Sequence, residues 1–248
     1  VPFHAWAPDA YEGASAPVTA FMATVIKAGV LLAALRIFGT TPVLQPMLGL
    51  VAVLPLLSMA WGNLAAIRQV SFRRMIAYSS IGHAGYLFYA LLGDGGGRWQ
   101  AIVFYLIAYG LMNLLAFSAL PRGADDERQD RLDALKGLYR RRPFAAVMIA
   151  IAMLSLAGLP PLPGFVAKFL VFKNVLAAGH TLYAVAGLVA SYLGIYFYLR
   201  VIQYMFMAEQ DPAAAHGSPR RYAVAASLLC LVPATLLMFF PGWLLERL

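Results

Sequence analysis

Seven long apolar runs constrain the fold of this 248-residue chain more than any other feature of its sequence. Each is long enough for an α-helix to cross a hydrocarbon core of about 30 Å. Hydrophobic residues make up 62% of the chain and charged residues 12%, unlike the usage of soluble domains. Because the runs lack the period-two alternation of strands, we predict one all-α domain over residues 1–248, a polytopic transmembrane helix bundle. The seven runs cover residues 17–38, 43–67, 72–92, 99–120, 144–178, 181–208 and 222–244.

The fifth run, residues 144–178, is too long for one straight helix. It carries helix-breaking residues near its middle: Pro160, Pro161, Pro163 and Gly164. Proline has no backbone N–H to donate, and its ring crowds the preceding turn. We therefore predict two half-helices around an unwound break between about Leu159 and Phe165, of the kind that lines ion sites in transporters.

Basic residues divide unevenly between the two sides of the predicted bundle. The segments 68–74, 121–143 and 209–221 carry twelve Lys and Arg residues, against three on the opposite side. The positive-inside rule places the first side in the cytoplasm and the C-terminus outside. Since these residues are spread over three loops, the net charge of +8 reflects topology rather than nucleic-acid binding. Segment 121–143 is predicted to be a solvated linker with a short helix from about Asp130 to Arg140.

Lys27 and Lys168 lie within apolar runs. A lysine in hydrocarbon costs about 2.5–3.5 kcal/mol, so two of them indicate a function. None of the eleven acidic residues falls inside a predicted span. The lysines are therefore expected to be largely neutral, a state that suits a proton carrier. The alternative is that they meet a carboxylate from outside this chain. Lys173 points about 140° away from Lys168 around a helix and is expected to snorkel outward.

A polar stripe crosses the third apolar run. Ser79, His83 and Tyr86 follow i, i+4, i+7 spacing and share one helix face. Hydroxyls and an imidazole can pass a proton along such a face, with water between them. Spacing alone leaves open the alternative that His83 simply hydrogen-bonds a neighbouring helix. In the next run Tyr105, Tyr109 and Asn113 repeat the pattern. The predicted polar relay comprises Ser79, Tyr86, Tyr109, Asn113, Lys173 and His4.

Metal and redox chemistry find no support in the sequence. The chain has one cysteine and four histidines, and the histidines stand far apart: His4, His83, His180 and His216. We therefore expect no metal site. No nucleophile elbow, haem-attachment motif or dinucleotide fingerprint occurs either, so no cofactor is expected to bind this chain.

Four stretches resemble the antiporter-like membrane subunits of respiratory complex I. The first, residues 1–27, reads VPFHAWAPDAYEGASAPVTAFMATVIK and is the most specific. The others are MIAYSSIGHAGY at 75–86, LSLAGLPPLPGFVAKF at 154–169 and GIYFYLR at 194–200. Within that family the chain is most similar to the N-type subunit, the counterpart of mitochondrial subunit 2.

The resemblance implies a longer subunit built from two inverted repeats, each with a discontinuous helix, joined by a central row of charged and hydrated residues. This chain would be its C-terminal part, with residues 1–16 forming the second half of a broken helix plus a loop. Lys27 matches the lysine of the central axis, Lys168 the lysine of the second broken helix, and His83 a histidine on the polar axis. The glutamate and the lysine that the family carries further upstream are not in this chain.

The implied function is proton translocation within NADH:quinone oxidoreductase. NADH, FMN, iron–sulfur clusters and quinone would be bound by other subunits of the enzyme. The expected partners are other membrane subunits of complex I, the lipid bilayer, protons and internal water, in a bacterial inner membrane. Two alternatives remain: a subunit of a multi-subunit sodium/proton antiporter, and a non-pumping structural subunit. The motif YEGA at 11–14 favours complex I over the antiporter.

Overall fold

The computed structural model describes residues 3–40, 48–93, 95–121, 130–207 and 221–247. Helices and turns account for this part of the chain, and its only strand-like pairing is an isolated bridge between Ser71 and Arg131. The prediction of an all-α fold is confirmed. The linker residues 122–129, the loop residues 208–220 and the start of the second predicted span, 43–47, lie outside the described residues.

The helices follow one another with short connections. In chain order they are α1 Trp6–Gly13, α2 Ala16–Phe21, α3 Lys27–Thr40, α4 Leu48–Ile67, α5 Phe72–Tyr89, α6 Gly95–Ala119, α7 Leu138–Arg141, α8 Pro143–Ala157, α9 Pro163–Ala177, α10 Thr181–Leu193, α11 Ile195–Phe206, α12 Arg221–Phe239 and α13 Pro241–Leu245. A π-helical segment, Met22–Ile26, joins α2 to α3 without interruption.

Four helical stretches in the described part of the chain are long and apolar enough to cross a membrane. They are Ala16–Ala34, Gly97–Ala119, Thr181–Phe206 and Tyr222–Phe239. Two shorter apolar helices, Ala52–Ile67 and Pro143–Ala157, accompany them. Helix α5, within the predicted span 72–92, is less apolar because it carries the polar stripe, and most of its residues are buried among other helices. The count of seven spans therefore stays a prediction.

Small residues allow α5 to approach α4 closely. A Cβ atom added to Gly62 would lie 2.6 Å from the backbone N of Gly82, and one added to Gly85 would lie 2.6 Å from the carbonyl oxygen of Pro55. Glycine is used at such contacts because only a missing side chain lets two helix backbones meet. The polar stripe of α5 is thus held at a fixed depth in the bundle.

The fifth predicted run consists of two helices. Helix α8 ends at Ala157, Gly158 adopts a left-handed conformation with φ of 84°, and α9 begins at Pro163. The interruption ends at Leu162, three residues before the predicted end of the break near Phe165. The reason is that proline is tolerated at the first position of a helix, where its missing N–H would have no partner. Pro163 therefore starts a helix rather than prolonging the break.

The described part of the linker is not the solvated segment that its charges predicted. Leu132, Leu135 and Leu138 are buried, and so is Asp130. The predicted helix from Asp130 to Arg140 is also wrong in detail. A 3-10 turn over Leu132–Leu135 and the short α7 replace it, separated by a left-handed Gly137 (φ 65°). The leucines recur every third residue, so this segment packs against the bundle by one apolar edge.

The two aspartates of this segment have opposite surroundings. Burial raises the pKa of the Asp130 carboxyl above its usual value, although its contacts with Ser71 and Arg73 act in the other direction. The hydrogen bond from Lys136 lowers the pKa of the exposed Asp133 carboxyl. Only Asp130 is therefore integrated into the bundle.

Candidate functional site: a column of lysine, tyrosine and histidine side chains

Lys168 is buried in a pocket beside the break between α8 and α9. Its side chain is 8% exposed. The Nζ atom donates hydrogen bonds to the carbonyl oxygen of Ala157 at 2.9 Å and to the hydroxyl of Ser191 at 3.1 Å. It also lies 5.1 Å from the centre of the Tyr86 ring. All of these neighbours are polar or π-rich but uncharged.

The break in the helix supplies this pocket with its acceptor. The last carbonyl groups of a helix have no partner within it, and Ala157 is the final residue of α8. Gly158 leaves the room that the lysine fills, because a Cβ atom there would lie 2.8 Å from Lys168 Cδ. Ser155 closes the other side by accepting a hydrogen bond from the Gly164 N–H at 3.0 Å. The prolines and glycines of this segment thus create the pocket.

His83 is buried, and both of its ring nitrogens bind tyrosine hydroxyls. Nδ1 lies 2.8 Å from the Tyr105 hydroxyl and Nε2 lies 2.9 Å from that of Tyr198. The Tyr198 hydroxyl is also hydrogen-bonded to Ser79. A neutral imidazole donates from one nitrogen and accepts at the other. A change of tautomer at His83 would therefore reverse the two hydrogen bonds without moving any heavy atom.

Lys27 is half-buried between α3, α5 and α6. Its Nζ atom donates to the carbonyl oxygen of Ser80 at 2.6 Å and to the hydroxyl of Tyr109 at 2.8 Å. The π-helical segment Met22–Ile26 ends immediately before this lysine. Such segments occur mostly as single turns and frequently at functional sites.

Aromatic rings connect the two lysines. The Tyr109 ring, whose hydroxyl binds Lys27, lies 4.6 Å from the ring of His83. The His83 ring lies 5.7 Å from that of Tyr86, and Tyr86 covers Lys168. The order Lys27, Tyr109, His83, Tyr86, Lys168 is hereafter called the polar column.

Two cavities adjoin the polar column. A small one of about 10 Å³ lies between His83, Tyr109, Ser155 and Gly164, which is close to the least volume that holds one water molecule. A larger one of about 550 Å³ borders Lys27, with His4, Tyr11, Ser58 and Ser80 among its polar lining residues. Lys27 therefore borders a large cavity, whereas Lys168 lines neither of the two.

Of the other predicted relay residues, Asn113 and His4 lie near the column or its larger cavity, and Lys173 does not. Asn113 is buried next to the column and donates from Nδ2 to the Tyr109 carbonyl at 2.8 Å. His4 lines the larger cavity, with its ring 6.3 Å from that of Trp61. Lys173 is exposed on α9 and stands apart from the column. Two described carboxylates near the start of the chain, Asp9 and Glu12, bind Arg74 at 2.6 and 2.7 Å rather than either lysine of the column.

Three groups that hydrogen-bond to residues of the polar column were not predicted from the sequence. Tyr198 and Ser191 belong to α11 and α10 and reach His83 and Lys168 across the bundle. The Ser80 carbonyl is a backbone group that no motif reveals. Tyr198 falls inside the GIYFYLR stretch, which was the one available signal. Within the described residues, no group of three or more histidine, cysteine or carboxylate side chains is placed to hold a metal ion.

Comparison with known proteins places the chain in a family. Residues 1–194 match the family described as NADH:quinone oxidoreductase/Mrp antiporter, TM. A protein named NADH-quinone oxidoreductase subunit N from Pelobacter propionicus is 43% identical over 246 residues, which cover 97% of this chain and 52% of that protein. Its namesake from Chloroflexus aggregans is 45% identical over 214 residues, covering 85% of this chain and 44% of the relative. The chain thus spans about half the length of the curated relatives it matches.

Solved structures agree with the sequence comparison. A chain in the structure of respiratory complex I from Thermus thermophilus with bound aureothin has 40% identity and a TM-score of 0.83, over 99% of this chain and 54% of that one. A chain in the Mrp complex from Dietzia has 25% identity and a TM-score of 0.80, over 99% of this chain and 54% of its own length. With its polar column inside an all-α bundle, this chain belongs to the NADH:quinone oxidoreductase/Mrp antiporter family of membrane proteins.

Proposed function

We propose that this chain translocates protons across a bacterial inner membrane as part of an NADH:quinone oxidoreductase. NADH oxidation and quinone reduction, with the FMN and iron–sulfur clusters they use, would take place on other subunits. The observation that carries the proposal is the polar column, a row of side chains in hydrogen-bond, ring or cation–π contact between two intramembrane lysines. The relatives named as subunit N support the choice of enzyme.

The two lysines and the histidine of the column have tasks that fit their contacts. Lys168 exchanges protons with water that reaches it through the break between α8 and α9. His83 accepts a proton at one nitrogen and releases another from the opposite one, with the Tyr105 and Tyr198 hydroxyls as its partners. Lys27 takes up or passes on the proton at the other end through Tyr109. The small cavity beside His83 offers room for one bridging water molecule.

The polarity of the surroundings supports proton exchange rather than permanent charge. In the described residues, the partners of both amines are carbonyl and hydroxyl oxygens. A charge on one lysine disfavours a charge on the other through a Coulomb energy that falls inversely with distance. Because no carboxylate in the described residues fixes either charge, such an influence can shift protons along the column.

The orientation of the chain is a further part of the proposal. We place residues 68–74, 121–143 and 209–221 in the cytoplasm and the C-terminus in the periplasm, since twelve basic residues lie on the first side against three on the other. A cysteine introduced at Arg128 should react with an impermeant thiol reagent only from the cytoplasmic face. Reaction from the periplasmic face alone would reverse the orientation.

A second function has a specific observation in its favour. The likeness to a chain of the Dietzia Mrp complex is compatible with a subunit of a multi-subunit sodium/proton antiporter. Sodium dependence of proton movement would distinguish that role from one in complex I. The remaining partners that we propose are other membrane subunits, lipid and internal water.

Replacement of Lys168 tests the main proposal. Lys168→Ala should lower the rate of NADH-driven proton pumping by inverted membrane vesicles at least about tenfold. This corresponds to an increase of about 1.4 kcal/mol in the activation free energy of proton transfer. Lys168→Arg should also impair it, because a guanidinium keeps its proton at physiological pH. The reaction of NADH with an artificial electron acceptor should be nearly unchanged, since that chemistry lies on other subunits.

The matched control is Lys173→Ala, which removes an exposed lysine from the same helix. Its pumping, normalised to the amount of assembled complex, should equal that of the wild type. If both Lys168 variants pumped like the wild type, Lys168 would be a structural residue and the proposal would lose its main support.

A further inference from the structure

A buried ion pair outside the polar column lies where α5 begins. Arg73 Nε is 3.0 Å from Asp130 Oδ1, and the two side chains are 4% and 3% exposed. Taking two charges out of water is expensive, and removing one partner of such a pair is more costly still. Asp130 binds Ser71 and Arg73, and Arg73 also binds the carbonyl of Ala14. The pair stands outside the polar column as defined above, and proton transfer between the lysines does not account for these contacts.

Asp130 also holds the first turn of α5. Its carboxylate accepts a hydrogen bond from the Arg73 backbone N–H at 3.3 Å and is hydrogen-bonded to the Ser71 hydroxyl. The Ser71 hydroxyl in turn caps the helix by accepting from the Arg74 N–H at 3.1 Å. A negative charge is favourable at a helix N-terminus, where backbone N–H groups lack partners.

The backbone strengthens the same junction. The Phe72 N–H donates to the Asp130 carbonyl at 2.7 Å, and the Leu132 N–H donates to the Val70 carbonyl at 2.8 Å. Side-chain and backbone contacts therefore fix the linker segment to the start of α5 in one register.

Arg73 extends the junction to a third segment. Its Nη1 atom donates to the carbonyl oxygen of Ala14 at 2.6 Å. Ala14 lies between α1 and α2, and from Ala16 the chain runs without a break in helix to Lys27. One guanidinium thus connects the linker, the start of α5 and the approach to the lysine helix.

The position of α5 decides the contacts of the polar column. The Ser80 carbonyl accepts a hydrogen bond from Lys27. Ser80 follows Arg73 by about two helical turns of α5, and His83 comes about one turn later. A shift or rotation of α5 against α3 would lengthen the 2.6 Å contact of Lys27 and misplace the His83 ring.

We propose that Asp130 and Arg73 are positioning residues of the proton pathway, which hold α5 in register with the helix that carries Lys27. The inference rests on the proposed function, because a register matters only if the column conducts protons. The pair sets the geometry of Ser80 and His83 without touching a transferred proton.

Hydrogen–deuterium exchange in the assembled complex tests the structural half of the inference. Asp130→Asn keeps the shape of the side chain but removes its charge. It should accelerate exchange of the amides of residues 71–74 and 132 at least about tenfold, because a buried guanidinium loses its partner. The matched control is Asp133→Asn in the same segment, which removes an exposed ion pair with Lys136 and should leave exchange at α5 unchanged.

Coupling of pumping to electron transfer tests the functional half. In Asp130→Asn the number of protons pumped per NADH oxidised should fall at least about twofold, whereas Asp130→Glu, which restores the charge, should recover most of it. The KM values for NADH and quinone should not change, although a purely structural defect would reduce all activities together with the amount of complex. Asp133→Asn should pump like the wild type.

Each outcome bears on the inference. Unchanged exchange in Asp130→Asn, or faster exchange with a normal proton ratio, would overturn it. If Asp130→Asn does not assemble, Arg73→Lys decides: a single ammonium lacks the fork that reaches both Asp130 and Ala14, so the proton ratio should again fall, and a normal ratio would overturn the inference. Wild-type pumping by the Lys168 variants would instead contradict the proposed function while the exchange results at α5 still stood.

Discussion

The surroundings of Lys27 and Lys168 differ although each amine is held by one backbone carbonyl and one hydroxyl group. Lys168 is enclosed, and its carbonyl acceptor comes from Ala157, the last residue of a helix. Lys27 is half-buried beside a cavity of about 550 Å³, and its acceptor, Ser80, stands inside the uninterrupted α5.

The difference shows two ways of accommodating an amine in a membrane helix bundle. At Lys168 the helix break frees a carbonyl that has no other partner. At Lys27 the lysine must share a carbonyl that a helix ordinarily uses for the residue four positions later. We therefore expect Lys168 to depend on the local backbone and Lys27 to depend more on the hydroxyl of Tyr109.

The largest effect is expected from Gly164→Ala. A Cβ atom at this position would lie 1.8 Å from the Ser155 carbonyl oxygen, so α8 and α9 could not pack as they do. The cost should be about 3 kcal/mol or more, seen as a strong loss of assembled complex in detergent extracts. Gly29→Ala, two residues from Lys27 with nothing within 4 Å of its added Cβ, should assemble normally. Equal losses in both variants would contradict a special dependence of Lys168 on its backbone.

Gly158→Ala should affect pumping more than assembly. Its left-handed backbone costs a non-glycine residue about 1–2 kcal/mol, and the new Cβ would lie 2.8 Å from Lys168 Cδ. Gly179→Ala imposes a similar backbone strain (φ 82°) with nothing within 4 Å. Proton pumping per assembled complex should therefore fall severalfold in Gly158→Ala only. A similar fall in both would show that backbone strain, rather than displacement of Lys168, is responsible.

The smallest effect concerns the two hydroxyl partners. Tyr109→Phe removes the 2.8 Å contact of Lys27, and Ser191→Ala removes the 3.1 Å contact of Lys168. A hydrogen bond contributes about 0.5–1.5 kcal/mol net. Initial rates of vesicle acidification should fall about fivefold in Tyr109→Phe and less than about twofold in Ser191→Ala. The effect at Ser191 is smaller because Lys168 still binds the Ala157 carbonyl, which it does not share with a helical N–H group. The reverse order would overturn the comparison.

Local rules of sequence predicted the parts of the structure that depend on one segment. The apolar runs indicated helices, and the prolines between 160 and 163 indicated an interruption. Periodicity placed Ser79, His83 and Tyr86 on one face of α5. In the structure Ser79 and His83 both bind the Tyr198 hydroxyl, and the His83 and Tyr86 rings are in contact. These predictions succeed because hydrogen bonding along one helix and the geometry of proline are set by neighbours in the sequence.

The linker shows where charge patterns mislead. Its acidic and basic residues predicted a solvated loop, yet Asp130 is buried against Arg73. Composition reports only the average environment of a segment, and a single ion pair between residues 57 positions apart depends on how the helices pack.

The sequence by itself determined an all-α membrane bundle, its family, the broken helix and the two lysines within apolar surroundings. Only the tertiary structure decided which atoms those lysines and His83 bind. Ser80, Tyr198 and Ser191 reach their partners from separate helices, and a contact between helices depends on their depth, rotation and crossing. Periodicity fixes the face that a residue occupies on its own helix, whereas close packing of all the helices together selects the group it meets.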